Sequence, residues 1–208
     1  MRYILALFVF TWIFSSCHNG SSGSSEDISG IDSNAWVKDF KDFRSAVYAH
    51  NVEKVKSYFD FPVIDSDNSI WFIVLDTAAY KKIDINTVTP FTEKDFYKYY
   101  DKLFTKDFIK SILKIKSEDL YKTGHAKSPE FDGEGDTSYK ETYLMNADYD
   151  SQDSLLGLYI NYYYHPVLSS QDSADGDDED DNDESSKVLY FKIIDHKRLR
   201  FYGATDAD

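Results

Sequence analysis

Leu155-Leu-Gly-Leu-Tyr-Ile-Asn-Tyr-Tyr-Tyr-His165 is the stretch on which the fold turns, because its side chains alternate with period two. In a strand, Leu156, Leu158, Ile160, Tyr162 and Tyr164 share one face, and Tyr159, Asn161, Tyr163 and His165 share the other. Residues 138–147, 187–194 and 198–203 carry the same strand-like pattern. Asp195-His-Lys197 is short enough for a tight connection between the last two. The C-terminal half therefore reads as antiparallel strands.

Upstream the period changes to that of a helix. Trp36, Phe40, Phe43 and Val47 lie on one stripe, predicting a helix over about 35–49 with Asn34 as its N-cap. Asn51 caps a second short helix, marked by Val52, Val55, Tyr58 and Phe59, which ends before Pro62. The apolar, β-branched and aromatic run Ser69-Ile-Trp-Phe-Ile-Val-Leu-Asp76 reads as a strand after the turn-rich Asp65–Asn68. Thr92 and Asp95 have capping-box spacing ahead of a helical stripe over about 93–115, with a break at Thr105. Asp132-Gly-Glu-Gly-Asp136 reads as a turn. Helices first and hairpins last predict an α+β fold, its antiparallel sheet covered on one face.

The N-terminus carries a different message. Arg2 precedes an apolar run from Tyr3 to Phe14, which closes on Phe14-Ser-Ser-Cys17 and is short of the ~20 residues a spanning helix needs. This segment resembles a bacterial lipoprotein signal, with Phe14 at the place where Leu is usual. The resemblance implies cleavage after Ser16, acylation of Cys17 with diacylglycerol and palmitate-type chains, and anchorage in the cell envelope. Ordinary secretion, with Cys17 an incidental thiol, is the alternative. Cys17 is the single cysteine of the 208 residues, so an internal disulfide is excluded and lipidation gives that thiol a role. Residues 17–33 read as lipidated Cys and flexible tether, rich in Ser and Gly, and 34–208 as one domain. His18 stands where an inner-membrane retention signal would have Asp, which points to the outer membrane.

The helical start, Tyr58-Phe-Asp-Phe-Pro62 and the closing meander Lys192-Ile-Ile-Asp-His-Lys-Arg-Leu-Arg-Phe201 together resemble the nuclear transport factor 2-like, or cystatin-like, superfamily. More narrowly, they are similar to Bacteroidetes lipoproteins of unknown function. What this resemblance implies is a curved sheet wrapped around N-terminal helices as a cone. Because the superfamily contains enzymes and pure binding modules alike, no active-site residue is carried over.

Composition narrows the function classes. The net charge is −14, and the run from Gln171 to Ser185 holds nine carboxylates; without them 28 acids face 23 bases. A pI near 4.7 excludes the electrostatic footprint of nucleic-acid binding. The acidic run is expected to be a disordered, solvated insertion over about 171–186. Asp175, Asp177 and Glu179 are its candidate calcium ligands, although the EF-hand spacing fails, with Gln171 and Asn182 at the required Asp and Glu places. Lys94, Lys98, Lys102, Lys106, Lys110 and Lys114 read as the wet face of a helix. No P-loop, GxGxxG, CxxC, HExxH or GxSxG pattern occurs, and no cofactor is expected.

Two readings of activity remain open. In the first, a non-catalytic envelope module binds a protein, glycan or small molecule, with Tyr159, Tyr163 and His165 as the binding face, since tyrosine joins a rigid ring to a polar tip. In the second, an enzyme works by an acid/base residue inside the cone, with Asp76, His50 or Tyr143 as occupants. A desolvated carboxylate or imidazole in a dead-ended pocket would favour the enzyme, and a cone plugged by Phe and Tyr the binder.

Overall fold

The computed structural model describes residues 35–84, 86–134, 138–167 and 183–207. Cys17, the tether and Asp175, Asp177 and Glu179 lie outside the described residues. Among the described residues seven helices come first: α1 (Ala35–Tyr48), α2 (Val52–Lys56), α3 (Ser69–Val74), α4 (Thr77–Tyr80), α5 (Glu93–Leu103), α6 (Lys106–Ile112) and α7 (Ser117–Thr123). Six strands follow: β1 (His125–Lys127), β2 (Phe131–Asp132), β3 (Tyr139–Asp150), β4 (Leu155–Pro166), β5 (Asp183–Ile194) and β6 (Arg198–Ala207). All pairs are antiparallel in the order β1-β3-β4-β5-β6, and β2 also pairs with β3. The fold is thus α+β, as the change of period predicts.

The alternation in β4 holds. Leu156, Leu158 and Ile160 enter the core, Tyr162 packs at its margin, and Tyr159 and Tyr163 stand half-buried on the other face. Asp195 and His196 both have φ above +50°, and Lys197 N–H donates to Ile194 O at 2.9 Å, the geometry of a two-residue hairpin turn that follows the strand twist. Pairing begins earlier than the charge pattern suggests. Asp183 to Ser186, assigned by sequence to the insertion, already belong to β5, because the ladder opposite Asn161, Tyr162, Tyr163 and Tyr164 satisfies their backbone groups. Similarly, Asp132 is no simple turn residue: β2 pairs it with Thr142, and its carboxylate meets Lys140 Nζ at 2.9 Å.

The core is built of rings. Phe43, fully buried in α1, touches Tyr58 (5.1 Å), Phe104 (6.1 Å) and Phe191 (4.9 Å) edge-on, which joins α1 and α5 to the sheet. Phe59 stacks on Phe201 at 4.4 Å and lies 4.8 Å from Phe96, so the turn before the cis Phe61–Pro62 bond is pinned between β6 and α5. Burying each such ring contributes about 1.5–3 kcal/mol, with 0.5–1.5 kcal/mol more for a good ring pair.

The helices also close the edge of the sheet. Leu199 N–H donates to Asp39 Oδ2 at 2.8 Å, and Phe201 N–H donates to Tyr58 O at 2.8 Å. Tyr58 OH donates in turn to Asp39 Oδ1 at 3.3 Å. The first half of the β6 edge is therefore taken up within the domain. The opposite edge is blunted by brevity, since β1 and β2 have only three and two residues.

One element differs outright from the sequence reading. Ser69–Val74 is helix α3, not a strand. The Asp65–Asn68 turn decides it: Asp65 accepts from Asp67 N–H at 3.2 Å and Ile70 N–H at 3.0 Å, and Trp71 N–H donates to Asn68 O at 3.0 Å. A helix then buries Ile70, Trp71, Ile73 and Val74 and leaves Phe72 41% exposed. An apolar run of six residues is ambiguous by periodicity, and tertiary packing overrides β propensity. The caps at Asn51, Thr92 and Thr105 form as expected, with Thr92 and Asp95 completing their box and Thr105 separating α5 from α6. The six lysines are all exposed.

Replacing Asp39 with Ala leaves the Leu199 N–H without its partner at a buried residue, so urea denaturation should show a loss of about 1–3 kcal/mol. Asp39→Asn keeps an acceptor oxygen and should lose less than half of that.

Candidate functional site

The register places Tyr159, Tyr163 and His165 together on the face of the sheet turned away from the helices. Tyr159 lies opposite Asn146 and Val188, Tyr163 opposite Thr142 and Glu184, and His165 opposite Lys140. Between the two tyrosines, Asn161 faces Leu144 and Ser186. Thr142, Leu144, Asn161 and Val188 are 4%, 3%, 8% and 2% exposed, so this face has a closed floor separate from the main core. Asn161 Oδ1 accepts from Ser186 Oγ at 2.8 Å, and His165 Nε2 lies 3.4 Å from Thr142 Oγ1.

Gly157 sets the pose of Tyr159. A Cβ on Gly157 would come within 2.6 Å of the Tyr159 ring, so the ring lies in the space that the missing side chain leaves. The edge of Tyr190, opposite Gly157 in the ladder, meets that ring at 6.1 Å and 87°. Burial pushes the Tyr159 phenol up to about 12, helped by its hydrogen bond with Tyr190. Burial also raises Tyr163, with the nearby Glu184 carboxylate adding and the Asn161 hydrogen bond opposing. Both phenols are neutral near pH 7. They supply ring area and hydrogen-bonding tips.

The three residues considered for catalysis are separated. Asp76 is exposed and caps α4, accepting from Ala79 N–H at 2.7 Å. His50 is exposed at the α1–α2 junction, 3.7 Å from Asp101 Oδ1 and edge-on to Tyr100. Tyr143 alone is buried, between Phe131 at 5.5 Å and Tyr162 at 6.0 Å. Burial pushes its phenol up to about 12, with the Asp107 carboxylate, to which it hydrogen-bonds, adding. Around it stand groups that sequence reasoning missed: Glu141, whose carboxyl is raised by burial and then by Asp107, and Lys110, with Nζ 4.3 Å above the Phe131 ring. These belong to α6, β2 and β3, and only packing brings them together, so no local signal announces them.

Rings fill the space between helices and sheet, with Phe40, Phe43, Phe91, Phe96, Phe104 and Phe191 among the fully buried side chains. Two clefts stand out among the described residues. One, of about 210 Å³, is lined by Ser69, Phe72, Tyr80, Thr205 and Asp206. The other, of about 250 Å³, is lined by Asp39, Lys54, Ser57, Tyr58, Arg198, Leu199 and Arg200. Neither contains Asp76, His50 or Tyr143. Among the described residues no group of three or more His, Cys, Asp or Glu is placed to hold a metal ion, and no helix is long and apolar enough to cross a membrane.

The chain matches no protein-family model, no curated protein and no solved structure.

Tyrosines raised on folding link stability to alkaline pH. The neutral phenols of Tyr143 and Tyr159 are favoured in the folded state, so their contribution is complete below about pH 10, the unfolded value, and is lost as pH rises towards about 12. Thermal melts should therefore show Tm falling across pH 10–12. The fall should be shallower in Tyr143→Phe.

Proposed function

We propose that this chain is a lipid-anchored protein of a bacterial envelope, held through acylated Cys17. Its helix-and-sheet body, a cone of the cystatin-like, nuclear transport factor 2-like kind, acts as a non-catalytic binding module. The carrying observation is the contrast between the two faces of the sheet. Rings pack the helix-covered face, while Tyr159, Tyr163 and Tyr190 stand half-buried over the closed floor of the face that no described helix covers. Half-exposed tyrosines held by Gly157 and Asn161 present rigid area at little entropic cost, which suits recognition of a protein, glycan or small molecule.

The order of elements supports the cone reading. Two helices precede the Phe61–Pro62 turn, and an antiparallel meander closes the chain. The anchor reading rests on the apolar leader, the single cysteine and the Ser- and Gly-rich stretch from His18 to Ser33. Stable attachment needs more than one acyl chain, at about 0.8 kcal/mol per buried CH₂, which a diacylglyceryl group plus an N-acyl chain provides. His18 after Cys17 supports residence in the outer membrane.

Two experiments test the two parts. In the native host, an alkyne fatty acid should label the wild type and fail to label Cys17→Ser; equal labelling removes the anchor. A benzophenone amino acid placed at Tyr163 should give a discrete photo-crosslinked product in intact envelopes. The same probe at Tyr48, 65% exposed on α1, should not. Equal products from both positions, or none from either, would remove the open face as the binding surface.

A further inference from the structure

We propose that the cleft beside the edge of β6 docks on the anionic headgroups of the bilayer that carries the protein, turning this end of the domain towards the membrane. The inference rests on the lipid-anchor reading above. Its cations are the starting point. In a chain of net charge −14, the seven residues lining this cleft include three cations, Lys54, Arg198 and Arg200, and one acid, Asp39. That acid is committed within the fold: Oδ2 accepts Leu199 N–H and Oδ1 accepts Tyr58 OH.

The cations are more available. Arg198 is exposed and its side chain makes no hydrogen bond or ion pair among the described residues, and the Lys54 ammonium lies 5.2 Å over the Tyr58 ring. Arg200 is oriented by Ser57 O and by Asp60 at 3.8 Å, which leaves part of its guanidinium fork for a ligand. His196 and Lys197 extend the basic rim through the β5–β6 turn, with Asp42, Asp60 and Asp195 the acids at its border.

Connectivity selects the partner. The segment from Cys17 enters the domain at Ala35, and Asp39, one helical turn or about 6 Å further on, lines the cleft. The tether thus joins the domain close to this cleft. The chain leaves β4 beyond Pro166 and returns at Asp183, and β5 runs twelve residues, about 37 Å, from there to the basic turn. The fifteen residues 168–182 can reach out and back only about 25 Å, less than the length of β5, so their carboxylates fall short of the β5–β6 turn. Each cation near an anionic leaflet strengthens attachment about fivefold and acts only within a Debye length of the surface.

The test uses the processed full chain, its acylation read by mass, in nanodiscs of phosphatidylcholine with or without about one-third phosphatidylglycerol. A fluorophore at His196→Cys should be quenched by headgroup nitroxide in anionic discs, far more than one at Glu184→Cys. In the Lys54→Glu/Arg198→Glu background, or in 0.5 M salt, that quenching should fall at least fivefold. Equal quenching at positions 196 and 184, or no response to charge reversal, overturns the proposal. Salt-sensitive self-association in detergent that Arg198→Glu abolishes would assign the cleft to a second copy and equally overturn it. A chain of unacylated mass removes the anchor alone. In that case the same chain added to phosphatidylglycerol vesicles decides the cleft: binding lost on Arg198→Glu sustains it, and binding unchanged by that substitution overturns it.

Discussion

A sheet whose last strand ends in open solvent leaves a row of N–H and C=O groups without partners, and here that edge is closed by the N-terminal helices. The Asp39 carboxylate takes the Leu199 N–H and the Tyr58 carbonyl takes the Phe201 N–H, both at 2.8 Å. Residues 160 positions apart in the chain are thereby held at hydrogen-bond distance. Side chains above and below then have fixed neighbours: Phe43 finds Phe191, and Phe59 finds Phe201. The register of β6 against the helices follows from the same bonds.

That constraint separates the molecule's two surfaces. One face of the sheet spends its aliphatic and aromatic side chains on the helices, and the space between them fills with rings. The other keeps tyrosines half out of water above a floor containing Leu144 and Val188. Acid/base candidates fall outside this division. Asp76 is used as a helix cap, His50 sits at a helix junction, and Tyr143 is a neutral, buried phenol bonded to Asp107. What this face presents to solvent is half-buried tyrosine.

The strand edge also shapes the electrostatics. By drawing α1 and α2 onto β6, it gathers Lys54, Arg198 and Arg200 around one cleft near the start of α1. The acidic run is joined to the chain at Pro166 and Asp183, at the other end of the β4–β5 hairpin from the β5–β6 turn. The gathering of these cations is thus a product of topology acting on a sequence whose overall balance is strongly acidic.

Local periodicity alone determined much of the fold. The alternation of 155–165, the turn at 195–197, the stripe of Trp36, Phe40, Phe43 and Val47, and the caps at Asn51, Thr92 and Thr105 all correspond to observed elements. Each depends on neighbours within a few residues, which a sequence displays directly. The grouping of Tyr159, Tyr163 and His165 on one face was legible for the same reason, since a strand has period two. Tertiary structure decided the rest. Helix α3 forms because Asp65 and Asn68 satisfy its first turn and Trp71 bonds to Thr89 O. The cluster of Asp107, Glu141 and Tyr143, and the edge bond of Asp39 to Leu199, join residues far apart in the chain. No local pattern encodes such contacts, because their free energy appears only once the burial of the aromatic core has brought the elements together.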